Sequence, residues 1–145
     1  MNRPPQRRWS DIEPGDALPP LAFPLSLYRL VMAAGANRDF NSIHHNTEHA
    51  QSTGAADAYA NVLLLQGMWE RSVRAYIGLA GVLRSLQGFR MKSFNTVGST
   101  AVVQGKVLRK WRGDGGEHLV EIEIWTENDG AVTVGPGQVV VAWPE

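Results

Sequence analysis

Cysteine is absent from all 145 residues. That absence removes disulfides, thiolate nucleophiles and zinc–thiolate sites together, and withdraws the usual clue to redox compartment. Net charge is absent too, because 14 Lys and Arg balance 14 Asp and Glu. A chain without a long-range field does not draw in a nucleic-acid backbone, so no nucleic-acid partner is expected. The same neutrality does little to keep copies apart, which permits oligomerisation. No long apolar run exists. The longest, around residues 62–65, falls far short of the ~20 residues that cross a bilayer, so no membrane span is expected. The basic start, up to Arg7-Arg8, leads into Trp9-Ser10-Asp11-Ile12-Glu13 rather than an apolar stretch. This reads as no secretory signal, and the expected setting is the cytoplasm.

What is present suffices for one domain with a real core: the hydrophobic fraction is 43%. Residues 1–20, rich in Pro and Arg, read as an extended tail. Residues 21–25 form a short extended piece, with Pro24 favouring an edge. Ser26 has the chemistry of an N-cap, and Leu27, Leu30, Val31 and Ala34 follow at helical spacing, with Gly35 as a stop. Residues 37–61 are polar and poorly periodic, a loop with room for a helical turn. A long helix comes next: Leu65, Met68, Trp69, Val73, Tyr76, Ile77 and Ala80 form its stripe. With Leu63 and Leu64 its start is apolar all round, which predicts a helix entering the middle of the fold.

After Gly81 the texture is β. Residues 83–94, 101–111, 118–127 and 131–143 read as strands, separated by the turn signals Gly113-Asp114-Gly115-Gly116 and Asn128-Asp129-Gly130. Val120, Ile122 and Ile124 alternate cleanly with polar or half-polar neighbours. Helices followed by a block of antiparallel strands argue for an α+β domain. A sheet wrapped around one helix would bury that helix's apolar start.

Titratable side chains crowd into Arg38-Asp39-Phe40-Asn41-Ser42-Ile43-His44-His45-Asn46-Thr47-Glu48-His49. Asp39, Asn41 and His44, at i, i+2 and i+5, can converge if the loop curls. They offer an acid, a hydrogen-bond donor and a base, the inventory for adding water across an activated double bond. Asp39-Phe40-Asn41-Ser42-Ile43-His44 resembles the hydratase-2 motif of the MaoC-like dehydratases, Asp-x-Asn-Pro-(Ile/Leu)-His. Gln66-Gly67-Met68 resembles that family's His-Gly-Met/Leu step into its central helix. Gly98 falls where the family has a Gly-Asp turn.

The resemblance covers roughly residues 21–141 and implies a single hotdog domain over residues 1–145. It implies Asp39 and His44 as the catalytic pair and Asn41 as their support, with the Gly67 backbone N–H holding the thioester carbonyl. The implied reaction is reversible hydration of a trans-2-enoyl thioester to the (R)-3-hydroxyacyl thioester. Coenzyme A is the expected carrier, acyl carrier protein the other, and no cofactor is needed. Trp69 and the ending Tyr76-Ile77-Gly78-Leu79-Ala80-Gly81 also resemble the small subunits of steroid side-chain enoyl-CoA hydratases. Val139, Val140, Val141 and Trp143 in the C-terminal β-half read as alternating faces on an open edge that another chain would cover, and the resemblance implies a dimer with sheets side by side, homodimeric or with a related hotdog chain. Ser42, Asn46 and Gln66 depart from the family, as does Asn37-Arg38 where a Ser-Gly pair is usual. None touches the Asp/His pair, but they bear on substrate.

Blander readings stand beside these. Asp39 and Asn41 could cap loops. His45-Asn46-Thr47-Glu48-His49 fits the inverted zinc-protease pattern H-x-x-E-H, but the segment is weakly helical and the chain short for that class, so no metal is expected. Arg71, Arg74, Arg84, Arg90 and Lys92 are solvated charges that need no coenzyme A role. A hotdog thioester hydrolase, or a non-catalytic subunit completing another chain's pocket, remain the other two functions.

Overall fold

The computed structural model describes residues 6–143. The first five residues of the expected tail lie outside the described residues. Strands β1 (Ala17–Pro24), β2 (Val82–Gln87), β3 (Thr100–Arg112), β4 (His118–Asn128) and β5 (Ala131–Trp143) form one antiparallel sheet in the order β1-β3-β4-β5-β2. Helices α1 (Leu27–Ala36), α2 (Thr47–Ser52) and α3 (Val62–Ile77) precede β2, and 3-10 turns lie at Trp9–Asp11 and Ser42–His44. This α+β wrapping of a sheet around a long helix is the hotdog arrangement.

Helix α3 buries one stripe against the sheet: Leu65, Met68, Trp69, Val73, Tyr76 and Ile77. They meet Val120, Ile122 and Ile124 of β4 and Val134, Val139 and Val141 of β5, all fully buried. Removing such aliphatic side chains from water contributes about 1.5–3 kcal/mol each, which is what holds a helix this short in place. Trp69 fixes the helix further. Its indole N–H donates to Thr126 Oγ1 at 2.8 Å, and its ring lies over Gly137, where an added Cβ would come within 2.9 Å of it. The glycine leaves a slot in the sheet that the indole fills.

Several boundaries differ from those read in the sequence. Helix α1 runs through Gly35 to Ala36, and the chain reverses at Arg38, a non-glycine residue at φ 56°. Asp39 N donates to Ala34 O (2.9 Å) and Arg38 N to Gly35 O (3.1 Å), the paired bonds of a Schellman ending. Helix α3 stops at Ile77 rather than Ala80, because Gly78 (φ 89°) turns the chain away. The strand expected over residues 83–94 ends at Gln87, and residues 88–99 form a crossover that bonds to β5 (Lys92 N to Thr133 O, 2.8 Å) and then to residues 58–60. Residues 6–20 are not a tail: β1 starts at Ala17, and Ile12 is fully buried. The open edge expected at residues 139–143 is also corrected. β5 lies between β4 and β2, so the edges of the sheet are β1 and β2.

The apolar start of α3 departs from expectation as well. Val62 and Leu63 are about half exposed rather than sunk in the core. They stand at the mouth of the cavity described next.

Candidate active site

The His44 turn is laced to residues 58–60 from both sides. Tyr59 N donates to Ile43 O at 3.2 Å, and His44 Nδ1 lies 2.7 Å from Tyr59 O. Residues 58–60 are in turn tied to the crossover, by Ala60 N to Asn95 O (2.9 Å) and Val97 N to Ala58 O (2.8 Å). Asn95 is fully buried, and its Oδ1 accepts from Thr133 Oγ1 of β5 at 3.0 Å. The imidazole is thus mounted, through three layers of hydrogen bonds, on the sheet itself.

A carbonyl oxygen can only accept, so His44 Nδ1 carries a proton. The ring's other nitrogen, Nε2, lies 2.9 Å from Asp39 Oδ2. With Nδ1–H committed to Tyr59, a proton must sit between Nε2 and the carboxylate for that contact to be attractive. His44 is 4% exposed, whereas the Asp39 side chain is 38% exposed. The pair is therefore dry on the imidazole side and open on the carboxylate side, with one shared proton.

Asp39 reaches this position because it directly follows the left-handed Arg38 at the end of α1. Asn61, 4% exposed, meets it from the other direction: its Nδ2 lies 3.4 Å from Asp39 Oδ2. Its Oδ1 accepts from Leu64 N at 2.9 Å, which makes Asn61 the N-cap of α3. One buried carboxamide joins the carboxylate to the start of the central helix. Sequence reasoning missed Asn61, although an asparagine directly before an apolar helical run is an N-cap signal.

Asn41 behaves otherwise than expected. Its Oδ1 accepts from Ile43 N (3.1 Å), capping the Ser42–His44 turn, and the residue is exposed. It shapes the turn that presents His44, whose backbone N donates to Asn41 O (3.3 Å), but no hydrogen bond of the Asn41 side chain reaches either Asp39 or the His44 ring.

Gly67 is a correction of register. It is the sixth residue of α3, beyond the first turn, so its amide belongs to the helix ladder and cannot serve a ligand. The helix begins five residues earlier than the glycine had suggested. There, Leu64 N is taken by Asn61 Oδ1 and Leu65 N by Asn61 O (3.2 Å), which leaves the amides of Val62 and Leu63 without a backbone partner. Both residues line the same cavity as Asp39 and His44, about 320 Å³ in volume, walled also by Tyr59, Met91 and Phe94. Tyr59 and Phe94 pack ring to ring at 4.4 Å.

The histidines of the zinc-like pattern go elsewhere. His45 and His49 are exposed, Asn46 caps the six-residue α2 by accepting from His49 N (2.8 Å), and no group of three residues able to hold a metal ion occurs among the described residues.

No family model matches the chain. The ChsH1–ChsH2 complex of Mycobacterium tuberculosis contains a chain that superposes with a TM-score of 0.80 at 25% identity, covering 91% of this chain and 98% of that one. The R-hydratase PhaJ1 of Pseudomonas aeruginosa gives 0.83 at 18% identity, covering 94% and 85%. The MaoC-like dehydratase of Rhodospirillum rubrum gives 0.76 at 17% identity, covering 94% and 97%. The fold is that of the MaoC-like dehydratases. Among curated proteins, the beta subunit of the 3-oxo-4,17-pregnadiene-20-carboxyl-CoA hydratase of M. tuberculosis is 32% identical over 62 residues. That stretch is 43% of this chain and spans 47%, about half, of the relative. No helix among the described residues is long and apolar enough to cross a membrane.

Proposed function

We propose that the chain, as one hotdog domain, adds water reversibly to a trans-2-enoyl thioester and forms the (R)-3-hydroxyacyl thioester. The observation that carries this reading is the buried His44 imidazole, fixed by Tyr59 O and 2.9 Å from Asp39 Oδ2, in a cavity that also contains a helix start with two free amides. Likeness to hydratases in fold, and over 62 residues in sequence, supports hydration at a general level.

The chemistry follows from the proton inventory. A water held by the pair gives its oxygen to C3 of the enoyl group and one proton to the Asp39–His44 pair. A proton from the pair goes to C2, so water is consumed whole and the pair returns to its starting state. Negative charge developing on the thioester oxygen is met by a first-turn amide of α3. Val62 N–H takes the role that the family resemblance implied for Gly67, since a preorganised donor at a helix start favours an oxyanion. Asn61 orients the Asp39 carboxylate. The thioester itself acidifies C2, so the scheme calls on no cofactor.

Coenzyme A is the carrier we favour, with acyl carrier protein as the other. The match to the pregnadiene carboxyl-CoA hydratase subunit supports a bulky polycyclic acyl group over a short linear one. Exposed Val62, Leu63 and Phe94 around the cavity leave an apolar rim for such a group or for a second chain. The β2 edge and the two-chain ChsH1–ChsH2 relative support a dimer, with a second copy or a related hotdog chain. The test is loss of the ultraviolet absorbance of a conjugated enoyl-CoA, run for a panel of acyl groups beside a free-thiol assay. Asp39→Ala and His44→Ala should each lower kcat by about 10²–10⁴ with the fold intact. Near-wild-type hydration by either variant refutes the assignment, and thiol release without hydration makes the protein a hydrolase.

A further inference from the structure

The far end of α3 carries a second cavity of about 500 Å³, lined by Arg7, Arg8, Trp9, Arg112, His118 and Trp143 among others, with no carboxylate among its described lining residues. Its wall includes Ala80, three residues beyond the end of α3, and Asp39 and His44 lie near the start of that helix; a 16-residue helix spans about 24 Å. The two cavities share no lining residue.

The arginine-bearing segment is fixed there. Gln6 Nε2 and Arg7 N both donate to Ile77 O, at 2.9 and 3.3 Å, and Ala80 N donates back to Gln6 Oε1 at 2.9 Å. The Trp143 indole donates to Arg7 O (3.0 Å) and the Trp9 indole to Leu119 O (3.1 Å). Gly78 lets the segment approach the helix end, since a Cβ there would meet Gln6 at 2.4 Å. These bonds also occupy the Ile77 carbonyl, whose partial negative charge would otherwise oppose an anion.

The cationic groups left over form no ion pair among the described residues, although the Asp16 carboxylate lies near enough to feel the charge of Arg7. None of Arg7, Arg8 and Arg112 pairs with a carboxylate, whereas Arg74, Arg84 and Arg109 each do. The Arg7 guanidinium sits 4.4 Å from the centre of the Tyr76 ring. His118 stacks on Trp9 at 4.5 Å, and its Nε2 is buried without a hydrogen-bond partner among the described residues. With Arg8 and Arg112 unpaired and Arg7 only partly balanced by Asp16, the cavity wall stays net positive among the described residues until an anion enters. Guanidinium forks match phosphate oxygens in pairs, and the indole walls suit an organic carrier.

We propose that this cavity binds a phosphorylated ligand. The phosphoryl groups could be those of a coenzyme A nucleotide end or of a separate phosphorylated metabolite; the recognising chemistry is the same. The inference does not rest on the hydration reading, because binding is measured without turnover. Titration calorimetry of the full chain with adenosine 3′,5′-bisphosphate and with pyrophosphate should show saturable binding with Kd below about 1 mM at low salt. Arg8→Ala and Arg112→Ala, both at exposed residues, should each weaken it about tenfold or more with thermal stability unchanged. Bisphosphate that also competes with an enoyl-CoA identifies the nucleotide end of the carrier; binding without competition identifies a separate ligand. Both support the proposal. Absence of saturable binding by both probes, or binding unaltered in both variants, overturns it.

Discussion

The amide of Val62 can be deleted without disturbing the helix it begins. Val62 is the first residue of α3, the position where proline is best tolerated, because the N–H it removes has no partner in the ladder. The residue before it, Asn61, sits at φ −76°, ψ 160°, which is the extended conformation that a following proline demands. The side chain is about half exposed, so little packing is at stake. Val62→Pro should therefore change unfolding free energy by no more than about 1 kcal/mol, a shift of roughly 2–4 °C in Tm for a chain of this size. On the proposed mechanism the same substitution removes one preorganised donor from the oxyanion, a loss that costs about 10²–10³ in kcat. The assay is hydration of an enoyl-CoA, with Val62→Ala as the control that keeps the amide. Gly67→Ala is the counter-test: its Cβ meets nothing within 4 Å. It should stabilise α3 by about 0.5–1 kcal/mol and leave kcat in place. A fully active Val62→Pro protein, or a Gly67→Ala protein that folds but is inactive, would refute the placement of the oxyanion donor.

Asn61→Ala removes a cap worth about 0.5–2 kcal/mol and should lower both Tm and kcat, whereas Asn61→Ser keeps the cap and should restore Tm but not kcat. An unchanged Tm in the alanine variant would contradict the capping role. Arg38→Gly relieves a left-handed residue at the end of α1 and should stabilise the protein by about 1 kcal/mol, read as a higher midpoint in urea; a lower midpoint would show that the arginine side chain holds the turn. Asp16 accepts from the Glu13 amide and the Tyr76 hydroxyl, which holds its carboxyl below the ordinary value of 3.8. The folded state then binds that proton less tightly than the unfolded one, so its contribution is complete above about pH 4 and lost as pH falls through the lowered value. Asp16→Asn should flatten this acid limb of stability against pH, and an unaltered limb would exclude the group. Burial, with Asp16 beside it, pushes the Tyr76 phenol up to about 12. Stability should therefore decline between about pH 10 and 12, and Tyr76→Phe should lose that decline.

Much of this was legible in the residues, for identifiable reasons. The alternation of Val120, Ile122 and Ile124 survives as the buried face of β4, and the stripe from Leu65 to Ile77 as the buried face of α3, because each faces a single apolar neighbour. Asp39 and His44 do meet. What failed was position along α3. Gln66-Gly67-Met68 has the letters of a helix entrance, yet Asn61 supplies the cap, and a capped helix starts where its first orphan amides are covered. Composition also misled at residues 6–20, where prolines and arginines suggested a tail. Ile12 is core there, and the Trp9 indole reaches β4, contacts across about a hundred residues that no local pattern encodes.

The Trp69 indole, seated over Gly137, has a bearing on which changes the protein can tolerate over generations. Cα atoms of a helix ride about 2.3 Å from its axis, so a roll of about 20° carries a first-turn Cα roughly 0.8 Å sideways and swings its amide with it. Misplacements of about 1 Å at a reacting centre cost on the order of a hundredfold in rate. The wedge that stops α3 from rolling sits two turns along the helix from Val62, out of reach of any substrate there. A complete substitution scan should therefore find positions 69 and 137 nearly as intolerant as Asp39 and His44, the proposed catalytic pair, with the losses appearing first in rate and only later in folding.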